Sequence, residues 1–414
     1  MLVVTRLTFL KTSRNKLNFF SRFFGSRKKQ RCFIDKGQEL YRSEEEKQTL
    51  VQQLKEKARE LGMGPVTITS AKPSQRLPKF LKWIEEGRHG EMHYLAREDR
   101  LERRRDLQKV LPGVQSIIVC SLFFWPGRRG FTAIREDPTR GDISCYAWGR
   151  DYHDIFCDKL QKLAEFALDK AGGQGKWYVD TGALMERDLG ERSGLGFIGK
   201  NTMLIHPRLG SGFFLGEILT TLSLPVDSAP KKMVGCGKCR RCQASCPTGA
   251  LDEDYRMDAR KCISYLTIEL KGSIPVELRP LMRNKIYGCD ICQQVCPWNK
   301  FDWQESIGKS PLFGSPDPEV TTPKLIELIQ MSEEDFRKRF EKTAIQRIGH
   351  SRLLRNVAVA LGNSGDVTVL PVLKKLLNSG QDSLVAEHLK WAIDQLENSA
   401  QNDQNSSSLV TNSH

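Results

Sequence analysis

Between residues 234 and 250 the chain reads VGCGKCRRCQASCPTGA, four cysteines within eleven positions and a proline directly after the last. Thiolates this close are soft ligands for iron or zinc. A second run, Cys289, Cys292 and Cys296 followed by Pro297, repeats the ending, and Cys262 stands between the two runs. Eight thiols supply two [4Fe–4S] clusters with four ligands each. In the two-cluster ferredoxin arrangement the fourth cysteine of a run serves the other cluster. Three thiols at C-x2-C spacing wrap one face of a cube, while the three-residue step and the proline turn the last one away. On that pattern Cys236, Cys239, Cys242 and Cys296 hold one cluster, and Cys246, Cys262, Cys289 and Cys292 the other. Cys262 replaces the ligand that the second run lacks. Structural zinc also uses paired C-x2-C, but it needs neither the Cys-Pro exit nor a compact third thiol. Secreted disulfides would call for an export signal, and no twin-arginine pair precedes an apolar stretch. Cys32, Cys120, Cys145 and Cys157 have no ligand spacing and read as ordinary thiols.

Clusters conduct electrons, and something must accept them. YVDTGALMERDLGERSGLGFIGKNTMLI (178–205) puts Asp180 at the end of an expected strand, then Glu186, Arg187 and a glycine-spaced loop ending in Lys200 and Asn201. Strand ends and glycine loops are where ligands meet backbone. Gly194, Gly196 and Gly199 match G-x-G-x-x-G, but without the strand-to-helix context of a dinucleotide site. Taken alone, Asp180 reads as a cap or turn residue. YAWGRDYHD (146–154) holds Asp151 and His153, but Phe156 stands where a cobalamin-ligating Asp-x-His-x-x-Gly motif needs glycine, so no cobalt-ligating histidine is readable.

The elements that must position these groups follow from pattern. EEEKQTLVQQLKEKAREL (44–61) opens with acids and repeats apolar positions, an amphipathic helix stopped by Gly62. SIIVCSLFF (116–124) is a buried strand, residues 150–170 are helical, and KWYVDTG, TMLIHP and GFFLGEILTTLSL are strands between glycine turns. Residues 44–228 therefore form an α/β domain, and residues 229–310 a ferredoxin-like two-cluster domain. Residues 311–397 are helical, with LLRNVAVALGNSG and LVAEHLKWAIDQL offset by about 31 residues as in stacked, HEAT-like repeats. Two units are too few to stand alone and should dock on the body. Residues 398–414 are Ser/Asn-rich and read as disordered. Residues 1–43 read as a basic extension, either disordered or targeting.

The linked motifs YAWGRDYHD, VDTGALMERDLGERSGLGFIGKN, the eight cysteines, KCISYLTIELKGSIP, CDICQQVCPWN and the helical tail resemble the epoxyqueuosine reductase family over about residues 44–397. The resemblance implies cobalamin in the α/β domain and two [4Fe–4S] clusters beside it. It implies reduction of the epoxide of epoxyqueuosine to the cyclopentene of queuosine at the wobble base of tRNA, the last step of queuosine synthesis. The family's proton-donating aspartate falls at Val179-Asp180-Thr181. A carboxylic acid beside cobalt, its pKa raised by burial, would protonate the departing oxygen. Arg104, Tyr146, Lys200, Asn201 and Ser264 lie in motifs that line the cobalamin pocket, and Arg187 in the motif near the substrate. Family members often read Ser-Arg-Tyr-Ala where this chain has Ser144-Cys145-Tyr146-Ala147, so Cys145 is left out of the site. FRKRFEKTAIQRIGHSRLLRN (336–356) carries Arg337, Lys338, Arg339, Lys342, Arg347, Arg352 and Arg355, ordinary solvated charges that become phosphate contacts if tRNA is the substrate.

The alternatives are a reductive dehalogenase, which shares the cofactors but is normally exported and lacks the helical repeats, and an electron carrier or tRNA-binding adaptor, which has no use for Asp180. The 414 residues, 39% hydrophobic and 28% charged, hold no apolar run of membrane-spanning length. The net charge is +14, and residues 1–34 carry nine Lys/Arg without an acid, leaving a mildly basic body that permits a phosphate-bearing partner. The expectation is a cytoplasmic monomer, or one directed to an organelle matrix by its basic start, fed by a low-potential electron donor.

Overall fold

The computed structural model describes residues 32–40, 43–126, 133–227, 234–299 and 317–410. The domain boundaries drawn at 228 and 310, and residues 1–31 of the basic extension, lie outside the described residues.

The first domain is built on five antiparallel strands in the order β1-β5-β8-β3-β2. These are β1 (Phe33–Asp35), β2 (Val66–Ser70), β3 (Ser116–Phe123), β5 (Gln174–Tyr178) and β8 (Phe213–Thr220), with β4 (Asp142–Ile143) standing apart. β3 is buried at all eight positions, which is why it reads as an unbroken apolar run. Helices α1 (Glu44–Glu60) and α4 (Tyr152–Ala171) cover one face, packing Leu50, Leu54, Leu160 and Leu163 against Ile118 and Ile218. The other face takes α5 (Glu186–Arg192) and the hairpin β6 (Phe197–Ile198) and β7 (Leu204–Ile205), with Leu189, Leu195 and Leu204 on Ile117, Val119 and Leu219. α1 starts with a reciprocal cap: Ser43 Oγ accepts the Glu46 N–H, and Glu46 Oε2 accepts the Ser43 N–H, both at 3.1 Å. Two short helices, α2 (Leu77–Glu85) and α3 (Glu98–Arg105), lie between β2 and β3.

Two boundaries are corrected. Part of the extension assigned to residues 1–43 is a strand of the sheet, because β1 pairs Phe33, Ile34 and Asp35 with Lys176, Gly175 and Gln174 and so covers the edge that β5 would leave open. At the other end, the last helix passes through residue 397 into the Ser/Asn-rich stretch read as disordered; no proline or glycine interrupts it, and Ser399 Oγ donates back to the Gln395 carbonyl at 2.9 Å.

The cysteine segment holds three short helices, α6 (Arg241–Ala244), α7 (Ile263–Ile268) and α8 (Ile291–Gln294), and the strand β9 (Lys285–Tyr287), which pairs in parallel with β4. The tail runs α9 (Pro318–Thr321), α10 (Leu325–Ile329), α11 (Glu333–Arg339), α12 (Gly349–Gly362), α13 (Leu370–Asn378) and α14 (Ser383–Val410). The two similar stretches fall in α12 and α14, which approach so closely at Gly362 that a Cβ there would lie 2.7 Å from Trp391 and 2.9 Å from the Ala392 backbone. No helix among the described residues is long and apolar enough to cross a membrane.

Candidate functional site

Two thiol groups form. Cys236, Cys239, Cys242 and Cys296 line one cavity of about 250 Å3 together with Asn201, Ile205, Pro297 and Trp298. The electrostatic neighbours of Cys296 are Cys236, Cys242 and Cys239, whereas those of Cys292 are Cys289, Cys262 and Cys246. The last cysteine of each run thus lies with the other run. α6 and α8 are one-turn helices that start the reversal, and the prolines after Cys246 and Cys296 prevent the helix from continuing. Among the described residues no three His, Cys, Asp or Glu side chains converge on one ion-sized point. Burial pushes the bare thiols up, Cys289 to about 12 and Cys296 to about 11. Binding iron as thiolates therefore releases protons. Backbone N–H groups aim at the sulfurs: Lys200 at Cys236 (3.4 Å), Ser264 and Tyr265 at Cys262, and Ile291 at Cys289. Such bonds tune cluster potentials.

Asp180 stands just beyond β5 with φ +58°, a left-handed conformation that is uncommon for a residue with a Cβ. Its neighbours hold it there. The Tyr152 hydroxyl donates to Asp180 Oδ2 at 2.8 Å, and the Glu186 carboxyl accepts the Asp180 N–H. The side chain is 58% exposed, so the burial expected of this acid is not supplied by the polypeptide. That burial falls on its neighbours. Glu186 is pushed up to about 8, chiefly by burial, with Asp180 adding and Arg187 opposing. Glu217, on the central strand β8, is fully buried with neither carboxylate oxygen partnered; burial, then Glu186 and Asp180, holds it well above the usual carboxylate range. Arg187 donates to the Thr202 carbonyl and faces Glu186 and Asp180.

One wall beside Asp180 is aromatic. Tyr152 stacks on Phe214 (centroids 3.9 Å, planes 7° apart), and Tyr146 meets Phe214, Tyr152 and Tyr287 at their edges or at a tilt. Phe214 and Tyr146 each keep part of their surface in solvent. The residues assigned to a cofactor pocket divide between two places. Tyr146 is in this wall, and Arg104 lies near Glu186 and Tyr94, its guanidinium over the Phe80 ring at 5.0 Å. Lys200, Asn201 and Ser264 stand at the thiols: Lys200 Nζ pairs with Asp254 at 3.0 Å, and Asn201 Nδ2 reaches the Cys292 carbonyl at 3.5 Å while lining the other group's cavity. The glycine loop therefore joins the acid site to both thiol groups. Cys145 is enclosed, its N–H donating to Asp290 at 2.8 Å, with the buried Arg135 pairing Asp142 and Asp290 beside it.

The sequence does not single out Tyr152, Tyr94 or Glu269, and it brings up His153 only as a cobalt ligand and Arg347 only as a phosphate contact. Tyr152 and His153 lie in a quoted motif and open α4, capped by Asp151. Tyr94, Glu269 and Arg347 come from three distant segments, and no spacing links them. Burial works against the Arg347 charge, but Glu269, then Tyr287, Tyr94 and Asp180, keep it raised.

The basic tail needs a correction. Arg355 is fully buried and spends its donors on the carbonyls of Leu266, Leu270 and Gly272 and on Asn356, so it is an internal bracket and not a phosphate contact. Arg352 is bonded to the carbonyls of Ile268, Arg347 and Ile348. Arg337 stays exposed, paired with Glu333 one turn back, and Arg347 is half exposed and paired with Glu269 at 2.5 Å.

Comparison with known proteins agrees with this layout. Residues 235–299 match the family model for a 4Fe-4S double cluster binding domain, and residues 104–181 match that of Epoxyqueuosine reductase QueG, DUF1730. The chain is 44% identical over 348 residues to epoxyqueuosine reductase of Escherichia coli (strain K12), covering 84% of this chain and 89% of that protein. It is 40% identical over 347 residues to that of Pseudomonas aeruginosa, covering 83% and 94%. Its fold is similar to epoxyqueuosine reductase from Bacillus subtilis captured with a catalytic aspartate loop swung out of the active site (TM-score 0.74, 30% identity, covering 84% and 91%). It is also similar to an epoxyqueuosine reductase crystallised with an epoxyqueuosine-modified tRNA stem loop (TM-score 0.72, 29% identity, covering 85% and 100%). This chain belongs to the epoxyqueuosine reductase family.

Proposed function

We propose that this protein reduces epoxyqueuosine to queuosine at the wobble position of tRNA, with cobalamin held in the α/β domain and electrons delivered through two [4Fe–4S] clusters by a low-potential donor. The observation that carries this reading is Asp180: an exposed acid locked at φ +58°, bonded to Tyr152, and joined to the cysteine groups by one glycine loop. The partly exposed aromatic wall of Tyr146 and Phe214 suits the flat, apolar body of a corrin, and Arg187 and Arg104 suit its polar groups. When bound, cobalamin supplies a strongly nucleophilic, one-electron-rechargeable centre.

The chain's own residues do the rest. Asp180 presents its proton to the departing epoxide oxygen, a poor leaving group until protonated. Tyr152 donates to the same carboxyl and holds it in place. A bound corrin and base over Asp180 would exclude water and supply the enclosure that the chain alone lacks. Arg337, Lys338, Arg339, Lys342 and Arg347 remain exposed as candidates for tRNA phosphates, while the modified base must be splayed out of the loop to reach Asp180.

The test is anaerobic turnover of epoxyqueuosine tRNA with cobalamin and a low-potential reductant, read by mass spectrometry of nucleosides. A cobalamin-dependent loss of one oxygen is expected. Asp180→Asn should lose on the order of 10²–10⁴ in turnover while retaining iron and tRNA binding. No conversion by wild-type protein with clusters and tRNA both bound would point instead to an electron carrier or adaptor.

A further inference from the structure

Turning an epoxide into an alkene takes two electrons and two protons. Both C–O bonds break, the C=C bond forms, and the oxygen leaves as water. Asp180 carries one proton and, once it has given it, is left as a carboxylate that still accepts from the Tyr152 hydroxyl. The second proton needs a route. Glu217 is sealed from solvent and does not exchange readily with water, and the Glu186 carboxyl meets the Asp180 N–H and not its carboxyl.

The imidazole of His153 has the geometry for it. Its Nε2 lies 3.9 Å from Asp180 Oδ2, and its Nδ1 lies 2.7 Å from Asp151 Oδ1. Further contacts hold His153 and its partner Asp151 in place. Asp151 Oδ1 also accepts the His153 N–H at 3.0 Å as the cap of α4, the Asp151 N–H donates to the Lys342 carbonyl at 2.7 Å, and the ring stacks on Tyr152 with centroids 4.1 Å apart. A carboxylate on one ring nitrogen sets the tautomer and points the other at its target. The 3.9 Å gap is closed by rotation of the exposed Asp180 carboxyl or by one bridging water. The His153 side chain keeps 18% of its surface in solvent, so it can recharge.

We propose that His153, oriented by Asp151, relays protons from solvent to Asp180, so that both protons of the reduction pass through one carboxyl. The two electrons come from the low-potential one-electron donor by way of the clusters. This rests on Asp180 being the donor in epoxyqueuosine reduction.

The test uses full-length protein loaded with clusters and cobalamin. His153→Gln should lower kcat by about ten- to a hundredfold, and added imidazole should restore part of it. Its KM for tRNA should stay within about twofold of wild type, because no binding contact is removed. Independently of turnover, 15N spectra of histidine-labelled protein should show Nδ1 of His153 protonated. Asp151→Asn, which still caps α4, should shift that tautomer. Wild-type kcat in His153→Gln, or a loss that imidazole does not restore and that comes with a raised KM, would overturn the relay while leaving the reaction in place. Failure of wild-type protein to convert epoxyqueuosine would instead sink the parent reading, and the relay with it.

Discussion

Around Asp180 each carboxyl has a different environment, and environment assigns the work. Asp180 is exposed and hydrogen-bonded, Glu186 is pushed up to about 8 chiefly by burial, and Glu217 is buried without a partner. The two raised acids have a measurable consequence. In the folded chain Glu186 keeps its proton up to about 8, whereas an unfolded chain loses it near 4.5. Folding takes up protons in that window, so this stabilisation is complete below 4.5 and is lost as pH rises through 8; Glu217 acts in the same direction. Urea midpoints of cobalamin-free protein should fall between about pH 5 and about pH 9, and the Glu186→Gln, Glu217→Gln double variant should show a shallower fall. An unchanged slope would mean that the two acids are ionised in the folded protein.

One-turn helices and their prolines decide which sulfur goes where. Because Cys246 and Cys296 each cross to the other run, losing one thiol should damage one cluster and spare its neighbour. Cys262→Ala removes the ligand that belongs to neither run, from a group whose other members are Cys246, Cys289 and Cys292. Anaerobically purified variant should retain the cluster of Cys236, Cys239, Cys242 and Cys296, with iron falling from about eight toward about four per chain. Loss of all iron would show that the two groups assemble as one unit. The N–H donor of Lys200 comes from the glycine loop of the first domain and that of Ser264 from α7 within the cysteine segment, so each group is fastened to a different element.

The whole molecule is held together by polar brackets across its parts. Arg355 and Asn356 of α12 reach the carbonyls of Leu266, Thr267, Leu270, Gly272 and Ile286, binding the helical tail to α7 and β9. Burial lowers the Arg355 pKa to about 9, and its hydrogen bonds to carbonyls offset the desolvation. Arg355→Met should cost about 3 kcal/mol by leaving three carbonyls unpaired, read as a lowered midpoint and earlier proteolysis after residue 317. A surface phosphate contact would leave stability unmoved and weaken tRNA binding instead. Arg347 sits where this tail meets the acid site, so docking of the helices also completes the rim of the pocket.

Spacing alone determined the thiol count and the two runs, because C-x2-C and Cys-Pro are local constraints, and the structure groups the last thiol of each run with the other run. Periodicity determined α1, α4, β3 and β8, whose buried faces repeat within a few residues. What only the tertiary structure decided are relations between distant segments: an antiparallel sheet closed by β1, and the burial of Glu217 in place of Asp180. It also decided that Tyr94, Glu269 and Arg347 gather at one rim, and that Arg355 faces inward while Arg337 faces out. A stretch rich in Lys and Arg looks the same on paper whether its side chains meet water, a phosphate or a neighbour's carbonyls. The difference is desolvation, which depends on what packs against the helix and not on the residues within it.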